Sequence, residues 1–168
     1  MITPEQEWCA LRIPFPDELH TNSLRFVPSL NADKSMPFPV DRKWIAETEA
    51  RLGVRFPPSF VAAMAKANGG SVDVGNDMFW LYSFLDESSR KRIQRTCSSI
   101  CRETSSMRIW DHFQKELIVI GHNSGGDLLV LKPMVDNATV LKDTIYWWDH
   151  ETSEVTPVAD DFADLRKT

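Results

Sequence analysis

Two short stretches in the first half of the chain carry apolar residues at helical spacing. In residues 41–52, Ile45 and Leu52 fall on one face, Asp41 is suited to cap the amino end, and Gly53 follows as a stop signal. Residues 58–67 repeat apolar side chains at the same spacing after a proline-containing first turn. The pattern therefore predicts a pair of helices joined by a tight turn.

The second half of the chain changes to strand-like patterns. Two apolar runs, 116–121 and 127–133, are separated by His-Asn-Ser-Gly-Gly, which predicts a β-hairpin. Further strands are predicted at 78–84 and 144–151, and a short extended piece at 155–159.

Two more helices complete the predicted elements. Residues 87–104 are predicted as one long helix, in which Ile93, Cys97, Ile100 and Cys101 would share an apolar face. Residues 160–167 are predicted as an amphipathic helix. Residues 73–77 are predicted as a turn. The order of elements indicates an α+β fold, with an antiparallel sheet and helices packed on one side.

The amino-terminal quarter differs from the remainder. Prolines punctuate residues 1–40 and forbid a long helix, although 8–13 and 23–27 could form short edge strands. We predict an irregular amino-terminal extension over 1–40, packed on a single compact domain over 41–168. A chain of 168 residues matches one domain.

Charge is distributed unevenly along the chain, whose formal net charge is −5. Residues 1–108 carry 14 basic and 13 acidic side chains, whereas residues 109–168 carry 5 and 11. The acidic last third favours a basic partner, or is a solvated face that maintains solubility. No basic nucleic-acid footprint dominates, and no apolar run is long enough to cross a membrane.

Cysteine usage and the start of the chain bear on location. Three cysteines, an odd and low number, fit a reducing compartment. The first twenty residues carry acidic residues and prolines where a signal peptide has a basic start and an apolar run. We therefore expect a cytoplasmic protein without disulfides.

The loop at 121–127 invites comparison with two catalytic motifs and fits neither. Asp127 stands where a phosphate-binding loop has its lysine, and a carboxylate there repels phosphate. Ser124 lacks the spacing and the following helix of a nucleophile elbow. The expected role of Gly125 and Gly126 is a tight turn, with a positive φ angle in at least one of them.

A second polar cluster, Asp149-His150-Glu151, follows two tryptophans. On a strand Asp149 and Glu151 would share one face and His150 would lie opposite. Histidine beside carboxylates can be a general base or a metal ligand, and His112, His122 and Asp127 could join it only through the fold. No spacing typical of metal ligands is present, so a structural role is favoured.

Trp147 and Trp148 must point to opposite faces if they lie on a strand. One should belong to the core. The other needs a cover, which could be another part of this chain or a partner for which an exposed tryptophan is an anchor.

An ordered series of short motifs resembles the SUKH superfamily, the Smi/Knr-like proteins. The series is Trp44-Ile45, Glu49-Ala-Arg-Leu52-Gly53, Phe56-Pro57-Pro58, Asn68-Gly69-Gly70, Ile120-Gly121, Gly125-Gly126-Asp127 and Asp149-His150. Phe56 departs from the usual aliphatic residue, and 1–40 and 86–113 are long for the family. By this resemblance the residues that define the fold are Gly53, Pro57, Asn68, Gly69, Gly70, Gly121, Gly125, Gly126 and His150.

The resemblance implies a compact α+β fold without established catalytic activity, metal or cofactor. Many bacterial members are immunity proteins that block a cognate toxin, often a nuclease, and fungal members are scaffolds. We expect an immunity protein for a basic toxin, with no direct contact to nucleic acid or membrane. The alternatives are a scaffold or small-ligand-binding module and, third, an enzyme using Asp127, Asp149 and His150. The residues expected to bind the partner are Asp127, Trp147, Trp148, Asp149 and Glu151.

Overall fold

The computed structural model describes residues 37–167, which form an α+β fold. The helices are α1 Arg42–Leu52, α2 Pro58–Lys66, α3 Arg90–Arg95 and α4 Ile100–Met107. The strands are β1 Ser71–Val74, β2 Asp77–Leu81, β3 Ile118–His122, β4 Leu128–Pro133, β5 Leu141–Trp148, β6 Val155–Ala159 and β7 Arg166–Lys167. The predicted fold class is confirmed.

These strands form one sheet in the order β6-β5-β4-β3-β2-β1-β7, and all neighbouring strands are antiparallel. The hairpin predicted around residues 122–126 joins β3 and β4. The register of this pair shifts between Val119 and Gly121, where a β-bulge lies. A side chain at 121 would come within 2.9 Å of the carbonyl oxygen of Trp80, so glycine allows β2 to approach here.

The predicted helix pair is confirmed and owes its boundaries to local signals. The Asp41 side chain accepts a hydrogen bond from the Lys43 N–H at 3.0 Å, which caps α1. Gly53 ends the helix in the left-handed conformation, at φ 69°. Pro57 and Pro58 then begin α2 almost at once.

Apolar side chains cover both faces of the sheet. The main core joins α1 and α2 to one face, and includes Trp44, Ile45, Phe60, Met64, Val72, Phe79, Ile118, Ile120, Leu129, Leu131 and Ile145. A smaller cluster lies on the opposite face and comprises Phe113, Leu117, Val119, Leu128, Val130 and Trp148. The irregular segment after α4 supplies the cover of this second face, because Phe113 and Leu117 belong to it.

The single helix predicted over 87–104 is wrong, because the structure has two short helices there. Ser99 begins α4: its hydroxyl accepts a hydrogen bond from the Arg102 N–H, and its backbone forms a bridge with Ser83. Such a serine competes with helix continuation by capping a new start. The expected apolar face is divided, since Ile93 and Cys97 are exposed whereas Ile100 and Cys101 are buried.

Other boundaries also differ from the predictions, and the strand predicted at 78–84 ends at Leu81. The turn at 73–77 is shorter than predicted, because β1 and β2 occupy most of it. The strand predicted at 144–151 ends at Trp148. The helix predicted at 160–167 is instead a 3-10 helix, Phe162–Asp164, followed by β7. Asp161 and Asp164 form a capping box around this short turn, and buried Phe162 fixes it to the core.

The extension predicted over 1–40 lies largely outside the described residues, as do the strands considered at 8–13 and 23–27. Of this stretch the structure describes residues 37–40, which form no helix or strand. Val40 is buried in the main core, and its N–H donates to the carbonyl of Ala65 at 3.2 Å. The chain therefore reaches α1 along the end of α2.

Asn68 joins the end of α2 to the chain after β2, and its loss is expected to destabilise the fold. Its buried side-chain amide donates to the carbonyl of Phe84 and accepts from the N–H of Phe84, both at 2.8 Å. Asn68→Ala leaves both groups buried without these bonds, so we expect a loss of about 2–4 kcal/mol in unfolding free energy. Urea denaturation measures this loss of unfolding free energy, and Gln94→Ala at an exposed position is the control. Equal stability of the two variants would contradict the structural role of Asn68.

Candidate functional site

The turn between β3 and β4, residues 123–127, is organised by the Asn123 side chain. Its Oδ1 accepts hydrogen bonds from the N–H groups of Gly125 and Asp127, both at 2.9 Å, and its Nδ2 donates to Asp127 Oδ2 at 3.1 Å. Gly126 has φ 101°, which confirms the predicted positive φ, whereas Gly125 does not adopt one. The turn is therefore held by its own side chains.

The turn between β5 and β6, residues 149–154, is organised by Asp149 in a similar way. Its Oδ1 accepts from the N–H groups of Glu151 at 2.9 Å and Thr152 at 2.8 Å, and these bonds lower the pKa of Asp149. Ser153 has φ 61°. The expected alternation of Asp149, His150 and Glu151 on a strand is wrong, because β5 ends before them.

His150 joins the two turns through Asp127. Asp127 Oδ1 accepts from the His150 N–H at 3.1 Å and lies 2.8 Å from His150 Nδ1. This hydrogen bond raises the pKa of His150. Partial burial by itself would raise the pKa of Asp127, but hydrogen bonds from His150 and Asn123 outweigh it and lower that pKa. We call the two turns together, residues 123–127 and 149–154, the acidic turn pair.

Trp147 and Trp148 lie on opposite faces of the sheet, as expected, and this chain covers both. Trp148 is only 2% exposed and contacts Phe113 edge-on at 5.5 Å between ring centroids. Trp147 packs against the main core, with its ring edge-on to Phe79 at 4.9 Å. The structure therefore leaves neither ring as an exposed anchor.

A different tryptophan, Trp110, stands exposed beside the acidic turn pair. It is 62% exposed and, with Phe113 and Trp148, borders a shallow hollow of about 270 Å³ whose other wall includes His150 and Glu151. Sequence reasoning counted Trp110 without assigning it a role. The available signal was an apolar pair, Ile109-Trp110, followed directly by Asp111-His112 in a stretch without strong periodicity.

The backbone that carries Trp110 is fixed from several directions. Lys115 Nζ donates to the carbonyl oxygens of Arg108 and Trp110. The Trp110 N–H donates to the carbonyl of Met107 at 3.0 Å, and the Phe113 N–H donates to the carbonyl of Trp110 at 3.2 Å. The backbone of Trp110 is thus held in place before any partner binds, which lowers the entropic cost of ordering this segment on contact.

Aromatic side chains flank the acidic turn pair on the sheet. His122, at the end of β3, stacks on Tyr82 with ring centroids 4.9 Å apart and lies 5.7 Å from the ring of Trp80, which is 40% exposed. Burial lowers the pKa of His122 and raises that of Tyr82 to about 12. Both side chains are therefore neutral at pH 7.

The arrangement suits contact with another molecule better than it suits catalysis. Asp127 and His150 do come together, but the two hydrogen bonds between them tie the turns to each other. His112 and His122 make no hydrogen bond to that pair. Between residues 37 and 167, no three His, Cys, Asp or Glu side chains converge as a metal site, and no helix is long and apolar enough to span a membrane.

The fold and the paired turns define a small α+β domain with a charged, preformed surface at one end of its sheet. The family model of the SMI1 / KNR4 family (SUKH-1) matches residues 39–167, and the chain belongs to that family. Domains of this family are generally of the toxin-immunity type, bind a toxin protein, and are typically not enzymes. A comparison with curated proteins gives no match.

Gly126 offers a direct test of the first turn. A Cβ at 126 would meet only the His150 ring at 3.5 Å, an ordinary contact, so the cost of Gly126→Ala comes from the positive φ. We expect it to lower the unfolding free energy by about 1–2 kcal/mol. Exposed Ser124→Ala in the same turn is the control, because a side chain at 125 would itself crowd Asn123 Oδ1 at 3.3 Å. An equal loss of stability in the two variants, measured by chemical denaturation, would refute the assignment.

The contact between Asp127 and His150 predicts a pH-dependent stability. Because folding raises the pKa of His150, its contribution is present below the unfolded value of about 6.5 and is lost as pH rises through the folded value. Because folding lowers the pKa of Asp127, the contribution is also lost as pH falls through that lowered value.

His150→Ala should therefore destabilise the protein more near pH 5.5 than near pH 9. Thermal melting of both proteins at the two pH values measures the difference, and exposed His112→Ala serves as the control. A destabilisation by His150→Ala that is the same at both pH values would show that the ion pair does not form in solution.

Proposed function

We propose that this protein is an immunity protein that binds and neutralises a cognate, basic toxin of a polymorphic or contact-dependent toxin system. The observation that carries the proposal is Trp110, an exposed aromatic ring on a fixed backbone, next to a cluster of carboxylates. Tryptophan is among the residues that most often dominate binding energy at protein interfaces. Membership of a family that generally confers toxin immunity supports the same function.

Electrostatics supports a basic partner. Glu151 and Glu154 are exposed in the second turn, and exposed Asp111 follows Trp110 directly. Such a cluster accelerates association with a positively charged protein, and salt weakens the effect. A nuclease toxin fits this requirement, because its nucleic-acid channel is basic. In that case the acidic turn pair would occupy the channel that the nucleic acid otherwise enters.

The carboxylates of the turn pair have different roles in this proposal. Asp127 and Asp149 are engaged in hydrogen bonds that shape the turns, so their replacement would deform the surface as well as change its charge. Among the described residues, none donates such a hydrogen bond to the side chain of Glu151 or Glu154. Of the residues expected to bind the partner, namely Asp127, Trp147, Trp148, Asp149 and Glu151, only Glu151 is kept in the proposed surface. Glu154 and Trp110 are added to it.

The proposal includes a cytoplasmic location, where an immunity protein meets the toxin that has entered or is made in the cell. It needs no cofactor, metal, nucleic acid or membrane, because neutralisation is binding alone. The affinity for the toxin would come from a few contacts around Trp110 that become buried in the complex. The association rate would be raised by the surrounding carboxylates.

Two variants test the proposed surface against the toxin domain encoded beside the gene of this protein. Trp110→Ala should weaken binding by about 30-fold or more, the effect of losing an interface hot spot. Glu151→Lys/Glu154→Lys should slow association by about tenfold at low salt and by less at high salt. Surface plasmon resonance at two salt concentrations separates the association and dissociation rates.

The matched control is Asp136→Lys/Asp143→Lys, which makes the same change in net charge at exposed positions around the β4–β5 connection. It should bind nearly as the wild type does. Melting curves verify that all variants are folded. Wild-type kinetics for both Trp110→Ala and Glu151→Lys/Glu154→Lys would mean that the toxin docks elsewhere.

A further inference from the structure

Helix α3, Arg90–Arg95, is unusual because none of its side chains is buried. A surface helix normally attaches itself to a domain by burying an apolar stripe. The single apolar residue of α3, Ile93, is instead 41% exposed. The helix must therefore be held by contacts of another kind.

Polar contacts hold α3 at both ends. Arg92 forms an ion pair with Asp86 at 3.0 Å and donates to the carbonyl of Pro39 at 2.9 Å, and Asp86 is only 2% exposed. Beyond the helix, the buried Thr96 hydroxyl accepts from the Asp86 N–H at 3.0 Å and donates to the carbonyl of Arg92 at 2.9 Å. The backbone of α3 is thus fixed while Arg90, Lys91 and Ile93 remain exposed.

The exposed side of α3 is basic. The helix contains Arg90, Lys91, Arg92 and Arg95 and no acidic residue, and of these Arg92 is engaged with Asp86, in a chain whose net charge is −5. Arg90 and Lys91 are exposed and form no ion pair with a residue that the structure describes. Arg90 lies three positions before Ile93, so the two are neighbours on the helix surface. We call Arg90, Lys91 and Ile93 the α3 surface.

We propose that the α3 surface docks an acidic polypeptide segment of a partner protein, one that also carries an apolar side chain. Charge complementarity selects an acidic partner, and exposed Ile93 supplies an apolar contact beside Arg90, at the edge of the basic surface. This site is separate from the surface proposed for the toxin, with which it shares no residue. It gives the protein a second binding face of opposite sign.

A nucleic acid fits the same surface less well. A six-residue helix is about 9 Å long and can neutralise only a few phosphates, which gives weak and salt-sensitive binding. The aromatic ring beside α3, Phe38, is covered by the guanidinium groups of Arg92 and Arg95, 4.1 and 4.4 Å from its centroid, so a base cannot stack on it there. Exposed Ile93 adds nothing to phosphate binding.

The test uses a fluorescein-labelled peptide of five Glu-Glu-Leu repeats and a 15-base-pair DNA duplex, each titrated with the protein at low salt. We expect saturable binding of the peptide, weakened about tenfold or more by Arg90→Glu/Lys91→Glu. Ile93→Ser should lower the affinity for the peptide by about threefold, a loss typical of one apolar contact. It should leave the affinity for the duplex unchanged. Arg90→Gln/Lys91→Gln removes the charges without adding new ones.

Lys132→Glu/Lys142→Glu is the matched control: it changes the net charge equally, at positions on β4 and β5. The proposal fails if this control lowers the affinity for the peptide as much as Arg90→Glu/Lys91→Glu does. It also fails if the wild type does not bind the peptide. Tighter binding of the duplex than of the peptide overturns it in favour of a nucleic acid. Salt-sensitive self-association in sedimentation velocity, removed by Arg90→Glu/Lys91→Glu, overturns it in favour of a second copy.

The same variants separate this proposal from the proposed function. Arg90→Glu/Lys91→Glu should bind the toxin domain as the wild type does, because Trp110, Glu151 and Glu154 are unchanged. Loss of toxin binding in this variant, with normal binding by Glu151→Lys/Glu154→Lys, would place the toxin on the α3 surface and reject both assignments.

Discussion

Strands β3 and β4 are buried on both of their faces, and the rest of the domain follows from that constraint. Successive residues such as Ile118 and Val119 point in opposite directions, and both are fully buried. One cover is therefore not enough. Helices α1 and α2 supply the first, and the segment that contains Phe113 and Leu117 supplies the second. Because that second cover must reach Trp148, it also carries the neighbouring Trp110 to the end of the sheet where the two turns lie.

The turn pair shows how one set of carboxylates can serve both structure and surface. Asp127 and Asp149 accept backbone hydrogen bonds, and Asp127 also binds the His150 ring, so their charges are partly compensated. The remaining charge resides on Glu151 and Glu154, which stand on turns that these bonds make rigid. A rigid charged surface loses little conformational entropy on binding. Asp127 and Asp149 provide this advantage because they hold the turns in one conformation.

The sequence predicted what depends on local signals. The caps at Asp41 and Gly53, the prolines before α2 and the Asn-Ser-Gly-Gly turn each act within a few residues, and the structure has all of these boundaries. The errors arose where tertiary contacts decide. The break before Ser99 depends on its bridge to Ser83, and the C-terminal segment pairs with β1 because Phe162 is drawn into the core. The site divides in the same way: the carboxylates could be found along the chain, but the exposure of Trp110 and the burial of Trp148 are decided by the fold.

Net charge is a poor guide to the partners of such a domain, because the sign of the charge differs from one surface to another. At an overall charge of −5 the chain would repel an acidic protein at long range, yet salt screens that repulsion beyond roughly 10 Å. Within that distance a partner meets the local charge: carboxylates at Glu151 and Glu154, or cations at Arg90 and Lys91. Asp86 makes the second surface possible, since this buried carboxylate pairs with the half-buried Arg92 and fixes α3 without using Arg90 or Lys91. The two surfaces share no residue and carry charges of opposite sign, which is the physical basis for proposing two partners of different chemistry.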